Sequence, residues 1–482
     1  MESVQVARAL AQPAPQRRSA VGSIRLKLDP MRLGLFLLMI INVSRVHQAI
    51  GLIGKMHPAF VLVGFTLAYA VANPRKLASG GLLRTTEARL VVALFLLSCV
   101  STLFGISTGN SGKFLLDNFI KVVIAAFLLL AGIRNLQDLL TLIYAYVVSC
   151  GILSYMAIFM FHLSKHGSDA ARLSNLYTFD ANDIGVVLMV GLPLALLLFQ
   201  HSTGLRKWIS AATMVAIGVT LARSGSRGAL VGLIVTGAVL LVTLKTVPVW
   251  KRAAFVGVVG IALVVAAPPG YWEQMNTLLG LKQDYNWTSK DGRRQLILRG
   301  IVYMENYPLT GLGIHNFQRA ECMSDLSDKV RNYVRGTGLR CQPPHNTYIE
   351  VGAETGFTGL ILFSLIVFGG VWRMRKLRKR IPRAWRRGDR EQRFMYDATL
   401  FLSVSMVGFA VTSTFVSFAW IDIVYIVAMY MAALTLAVRR RLIHDAAQAA
   451  GSGHVSSGAV LASMPAAPTG LPATPALSLP SA

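Results

Sequence analysis

The sequence predicts an all-α polytopic integral membrane protein of about twelve transmembrane helices carrying one large extramembrane loop. Two properties of its composition and one of its layout point there. The 482 residues are 54% hydrophobic and only 15% charged, with a mean hydropathy of +0.53. Soluble domains run to about a quarter charged. The apolar residues fall in runs of roughly 17–25, each long enough to cross the hydrocarbon core, and the basic residues fall between them.

The predicted spans are approximately 33–53, 57–72, 90–107, 114–132, 137–162, 183–199, 208–222, 228–244, 253–268, 346–371, 396–417 and 419–437. A basic segment containing Arg17, Arg18, Arg25 and Lys27 precedes the first, and no small-residue cleavage site follows it, so it reads as a signal anchor. Arg45 and His47 interrupt that run. Two crossings are nevertheless required between the basic N-terminus and the basic segment Arg75–Arg89 if both are to stay cytoplasmic.

The formal net charge of +26 does not indicate nucleic acid, because no soluble basic domain exists to bind it. Lys and Arg in short segments between spans act instead as cytoplasmic retention signals. With the first span starting inside, Arg134, Arg206/Lys207, Lys245/Lys251/Arg252, a cluster of eleven between Arg373 and Arg393, and Arg439–Arg441 all fall inside. Both termini are then cytoplasmic. The predicted organisation is a cytoplasmic tail 1–32, helices one to nine over 33–268, an outer loop or cap 269–345, helices ten to twelve over 346–437, and a cytoplasmic tail 438–482.

The opposite face receives residues 163–182, with Lys165, Arg172 and Asp180, and residues 269–345, too long for a mere connector. Arg293–Met304 places Leu296, Ile297, Gly300, Ile301 and Met304 at helical spacing, which predicts a small structured cap. Cys99 and Cys150 lie in spans, where a thiol behaves as a small apolar group. Cys322 and Cys341 lie in the outer loop, an oxidising location, and are expected to be disulfide-bonded, the alternative being two free thiols. Ala446–Ala482, rich in Ala, Pro, Gly and Ser, predicts disorder. The sequence has no P-loop and no glycine-rich dinucleotide fingerprint, so neither an ATP-driven pump nor a nicotinamide enzyme is indicated.

Residues able to do chemistry concentrate on the outer side. In Pro343-Pro344-His345-Asn346-Thr347 the prolines force an extended entry into span ten and put His345 beside its first turn, at the membrane surface. An imidazole there suits a general base, or else is an interfacial histidine bonding a headgroup or loop carbonyl. Glu350 and Glu354 share one face of that span, where a carboxylate faces a polar cavity or an internal partner. They are catalytic supports, or they bond loop backbone or an arginine. Arg172, Arg223, Arg227, Arg293 and Arg294 come from distant segments on the same side as His345. Guanidinium groups match phosphate oxygens bidentately, so such a cluster would hold a pyrophosphate; ordinary loop charges are the alternative. No Asp-x-Asp pair or His/carboxylate cluster appears on that side, so no metal is indicated, nor any cofactor.

Five motifs follow in order: Asp180-Ala181-Asn182-Asp183, Ser226-Arg227-Gly228-Ala229, Gly292-Arg293, Tyr307-Pro308-Leu309-Thr310-Gly311-Leu312-Gly313-Ile314-His315-Asn316-Phe317, and His345-Asn346 followed by Glu354-Thr355-Gly356 and Gly359. Their order resembles the O-antigen ligase/polymerase family of lipid-carrier-dependent glycosyltransferases. The resemblance implies an inverting enzyme in the bacterial inner membrane, its site facing the periplasm. The donor would be a glycan on undecaprenyl pyrophosphate. The acceptor would be lipid A–core for a ligase, another lipid-linked glycan for a polymerase, or protein, with a slight lean to the ligase. His345 matches the family's essential histidine, and Arg227 and Arg293 its essential arginines; Arg172, Arg223 and Arg294 are second-rank donor-binding candidates. Its partners would be those lipid-linked glycans and the membrane lipids, with no nucleic acid. A secondary transporter of an anionic substrate is the alternative of a different class. It is disfavoured because transporters keep their ionisable groups near the bilayer midplane.

Overall fold

A computed structural model describes residues 29–78, 82–164, 172–173, 178–244, 248–276, 278, 280, 292–322 and 341–451. Arg17, Arg18, Arg25, Lys27, Lys165, Lys245 and the tail beyond Gly451 lie outside the described residues. The chain divides into two units after Ala437.

Long apolar runs of good helix formers give helices because in hydrocarbon every backbone N–H and C=O must bond within its own segment. The first unit holds α1 (Pro30–Ser44), α2 (Pro58–Ala72), α3 (Thr86–Phe104), α4 (Thr108–Gly132), α5 (Leu136–Phe159), α6 (Ala181–His201), α7 (Leu205–Ser224), α8 (Arg227–Thr243), α9 (Val249–Ala266), the short α10 (Arg293–Asn306) and α11 (Phe317–Cys322), then α12 (Thr347–Arg380), α13 (Arg390–Thr412) and the start of α14 (Asp422–Gly451). Among the described residues nine helices are long and apolar enough to cross a membrane. Three shorter apolar helices, α1, α2 and α8, occupy the other predicted spans. The protein is therefore an all-α polytopic membrane protein. Among the described residues its one departure is a two-residue antiparallel ladder, β1 (Leu163–Ser164) with β2 (Arg172–Leu173).

The core is centred on α6, α13 and α14. From Ile184 to Leu198 every residue of α6 is buried, as expected of a helix apolar all round. It packs on α5, α7 and α13, and α13 packs in turn on α8 and α12. Small residues permit these approaches. A Cβ on Gly232 would sit 2.4 Å from Thr412, and one on Gly185 would sit 2.8 Å from the Ala229 methyl. By contrast α9 is almost wholly exposed along its apolar length, which suits a helix facing lipid.

Two expectations need correction. The run 33–53 is not one span: α1 stops at Ser44, Arg45 turns left-handed (φ 55°, ψ 20°), and two short helices, Val46–Ala49 and Gly51–Lys55, follow. The Arg45 N–H still closes on the Ile41 carbonyl, but its side chain is turned out of the helical path. In α10 the buried face is Leu296, Arg299, Gly300, Tyr303 and Met304, whereas Ile301 is exposed. A buried arginine takes the place the apolar spacing gave to isoleucine, because it has an internal partner described below.

The second unit, described to Gly451, continues as helix, with Arg441 Nε 2.7 Å from Asp445 Oδ1 one turn on.

Candidate functional site

His345 ends the extended Pro343-Pro344 entry and takes φ 48°, a left-handed conformation uncommon for a side chain with a Cβ. Such strain persists only where its surroundings over-determine it. Here the His345 N–H donates to Ser417 Oγ at 3.0 Å. Asn346 caps α12, its Oδ1 accepting from Tyr348 and Ile349 N–H. Thr347 Oγ1 donates to the Val416 carbonyl at 2.8 Å and accepts from the Phe418 N–H at 3.0 Å. The histidine is thus clamped to the irregular segment 416–418 that joins α13 to α14. Burial first, then the neighbouring Arg293 guanidinium, pull its pKa down to about 4, while Asp180 opposes them. The ring is neutral at ordinary pH and able to take a proton.

Asp180 belongs to the second cluster. It caps α6 in a reciprocal capping box: its Oδ1 accepts the Asp183 N–H at 2.8 Å, and Asp183 Oδ2 accepts the Asp180 N–H at 3.0 Å. Ser226 caps α8 and donates its hydroxyl to Asn182 Oδ1 at 2.7 Å. The two motifs, 44 residues apart, therefore meet directly. Arg227 is the first helical residue of α8, adjoining that bond. A Cβ on Gly228 would lie 2.7 Å from the Phe415 side chain, so only glycine lets this turn close on the α13–α14 connector.

Arg293 opens α10 at its N-terminus. The helix is anchored from its buried face: Arg299 and Glu321 form a fully buried pair at 2.7 Å, and Tyr303 donates its hydroxyl to Glu321 at 2.9 Å. Cys322, the last residue of α11, is disulfide-bonded to Cys341 with Cα atoms 5.1 Å apart. That bridge ties the cap to the extended segment entering His345.

The two glutamates of α12 serve the backbone. Glu350 Oε2 accepts the Ala419 N–H at 3.0 Å. Glu354 accepts three donors, His315 N–H at 2.7 Å, Phe317 N–H at 3.1 Å and Trp420 Nε1 at 2.7 Å. The Tyr307–Phe317 segment docks where α12 breaks its own ladder at Gly356 (φ 71°). There Leu312 and Gly313 N–H donate to the Ala353 and Glu354 carbonyls, and Phe357 N–H donates to Pro308. Gly311 (φ 69°) is required at this seam, since a Cβ would lie 2.3 Å from the Glu354 carbonyl carbon. His315 stacks on Phe114 with centroids 4.1 Å apart.

The remaining candidates differ in placement. Arg223, in the last turn of α7, donates Nη2 to the Phe161 carbonyl at 3.5 Å, and its buried Nε has no hydrogen-bond partner. Arg294 is exposed, whereas its neighbour Arg293 is half-buried. Arg172 lies in β2, and its side chain is outside the described residues. Sequence inspection missed Asp180 as a charge facing His345, Ser417 as its clamp, and Trp420 as the third donor to Glu354. It marked Arg45 as an interruption of the first run and as one of the deeper ionisable residues but did not place it in the site, although an ionisable residue inside an apolar run marks a functional site by default. Arg45 stands 5.0 Å over the Phe179 ring, next to Asp180. Among the described residues no three His, Cys, Asp or Glu side chains converge as a metal site.

The arrangement gathers a buried neutral base and at least one guanidinium at the meeting point of α6, α8, α10 and α12. Such a centre can deprotonate a hydroxyl and stabilise an anionic leaving group. No curated protein matches the chain. Residues 212–364, from mid-α7 to mid-α12, match the family model described as O-antigen ligase, which supports the O-antigen ligase/polymerase family for this protein.

Proposed function

We infer, with the O-antigen ligase match of residues 212–364 as the premise, that this protein transfers a glycan from an undecaprenyl-pyrophosphate carrier to an acceptor hydroxyl, lipid A–core being the favoured acceptor. The observation that carries this is His345, buried and neutral beside Arg293. In the reaction His345 takes the acceptor hydroxyl's proton as its oxygen attacks the anomeric carbon from the face opposite the carrier. The new glycosidic bond forms, the bond from that carbon to the pyrophosphate oxygen breaks, and configuration inverts. Undecaprenyl pyrophosphate leaves with the electron pair, its charge met by Arg227 and Arg293. A general base contributes roughly 10²–10⁴ in rate, and one preorganised cationic donor roughly 10²–10³. Glu350 and Glu354 act as positioning residues through the loops they bond. The charge pattern between spans supports placing the centre at the periplasmic face of the inner membrane, with both termini cytoplasmic.

The test is replacement of His345, Arg293 or Arg227 by Ala in the native host lacking its own copy, with membrane levels checked and surface and lipid-linked glycans resolved on gels. All three variants are expected to insert and to accumulate lipid-linked glycan. Loss of chains from lipid A–core with long lipid-linked polymer persisting identifies a ligase; persistence of single repeat units identifies a polymerase. Unchanged glycans in all three would refute glycosyl transfer.

A further inference from the structure

A polar cavity of about 490 Å³ lies beside this centre, within the range of about 300–1,000 Å³ typical of ligand sites. Four irregular pieces of chain build it. Arg45 supplies a left-handed break after α1 and His57 another before α2. A π-helical turn, Leu115–Phe119, interrupts α4, and Trp420–Asp422 lead into α14. Non-helical backbone at membrane depth is tolerated where it lines a cavity, and π turns recur at functional sites.

The lining also contains buried polar atoms without partners. Arg45 Nε, His47 Nδ1 and Asp422 Oδ1 are all buried and make no hydrogen bond. Each such atom costs about 1–3 kcal/mol unless something fills the space. Charge decides between ligands. Arg45 and Lys121 supply two cations, Asp117 and Asp422 two carboxylates, and His47 and His57 the remaining titratable groups. This balance gives an isolated phosphate no excess of positive charge. Donors and acceptors alternate instead, with Asn42, Gln48 and Asn118 able to do both, which matches hydroxyls that donate and accept at once. Trp420, Phe114 and Phe60 add ring surfaces for the apolar faces of a sugar.

We propose that this cavity is a sugar-binding subsite, taking a short run of neutral, hydroxyl-rich rings from one of the two glycans that meet at His345. Its position supports that use. Ser417, which holds His345, is three residues from Trp420, at most about 10 Å of chain. Arg45 reaches the other side, over Phe179 and next to Asp180. The assignment of the rings to glycosyl transfer rests on the function proposed above; the binding of sugar does not.

The experiment titrates the full-length protein in nanodiscs with two probes, short oligosaccharides cut from the host's own surface polysaccharide and sugar-free undecaprenyl pyrophosphate. Asn118→Ala and Lys121→Met should each weaken oligosaccharide binding about tenfold, the loss of one hydrogen bond to a charged or amide donor. Asp117→Asn, at an exposed position of the cavity lining, serves as a second variant should either of these lose thermal stability. Undecaprenyl pyrophosphate binding should be unaltered by all three, and His345→Ala should bind oligosaccharide as the wild type does. A rise in KM for the lipid-linked donor alone identifies the rings as the donor's; a rise for the acceptor alone identifies them as the acceptor's. Variants that bind oligosaccharide like the wild type would overturn the subsite. So would variants that lose undecaprenyl pyrophosphate instead, since the cavity would then be a phosphate site. If His345→Ala kept full glycan transfer while the cavity variants lost oligosaccharide, the transfer chemistry would fall and the sugar site would stand.

Discussion

At the scale of single residues, the depressed pKa of His345 makes a pH prediction with a definite sign. The ring's ordinary value is 6.5 and burial, helped by Arg293, lowers it to about 4. In the proposed reaction neutral imidazole is the working form, so kcat/KM should hold as pH falls through 6.5 and decline only towards about 4. In Arg293→Gln the acid limb of the residual activity should move up towards 6.5, but stop short of it because burial remains the larger cause. An unmoved limb would show that Arg293 is not beside the ring when substrate is bound. Linkage runs the same way for stability. The unfolded chain takes up the proton that the buried ring refuses, so this group's contribution is whole above 6.5 and is lost as pH falls from there towards 4. Glu354 illustrates a different kind of residue. Its sequence position announced a carboxylate in a span, and its role is to collect three N–H donors from two distant loops. Glu354→Ala should lower stability by roughly 2–4 kcal/mol, read as a thermal shift in detergent, because three buried donors lose their acceptor together.

Secondary elements carry the second level. Most helices were legible because span-length apolar runs leave the backbone no other choice. What the pattern did not reveal was where a helix stops being one. Arg45 and His47 were seen to interrupt the first run, but nothing in their identity announced a left-handed turn followed by two short helices. The seam at Gly356 was equally hidden. The glycines at 311, 313 and 356 were visible as a motif, yet only the fold shows that the Tyr307–Phe317 segment donates its N–H groups to a break in α12. Gly311→Ala should therefore open that seam, at a cost of at least about 1–3 kcal/mol for the left-handed strain alone. Hydrogen exchange would register the opening as faster exchange at Leu312, Gly313 and His315. The cap gives a sharper case. Apolar spacing put Ile301 on the buried face, whereas the Arg299–Glu321 pair holds that side. Glu321→Ala should cost about 3–5 kcal/mol, since it strands a buried guanidinium. A double change to a matched apolar pair should recover much of that loss.

For the whole molecule, the disulfide and the charge pattern converge on orientation. Cys322–Cys341 closes a loop of 19 residues between α11 and the entry to His345. Such a loop is worth about 3 kcal/mol in a chain-entropy account. Cys322→Ser should lower thermal stability by that order and leave Cys341 as a free thiol. In intact spheroplasts a membrane-impermeant maleimide should then label Cys341. Labelling only after the membrane is permeabilised would reverse the proposed orientation. The sequence motifs pointed to the histidine and the arginines as candidates because their residue types carry chemistry that can be read one residue at a time. Ser417 and Trp420 were invisible for the opposite reason: their side chains matter through partners about 70 residues away in the chain.

That separation has a consequence for how the protein is made. The clamp on His345 is Ser417, 72 residues further along the chain, and the Thr347 partners lie almost as far. At synthesis rates of about 5–20 residues per second, the ribosome delivers Ser417 roughly 4–14 s after the histidine. During that interval α12 can be in the bilayer with its N-terminal turn unfastened and the His345 ring unplaced. The turn is completed by the α13–α14 connector, so an interrupted chain ending before Val416 would carry α12 without its clamp. Order of manufacture itself leaves the His345 turn unset until the chain is nearly complete.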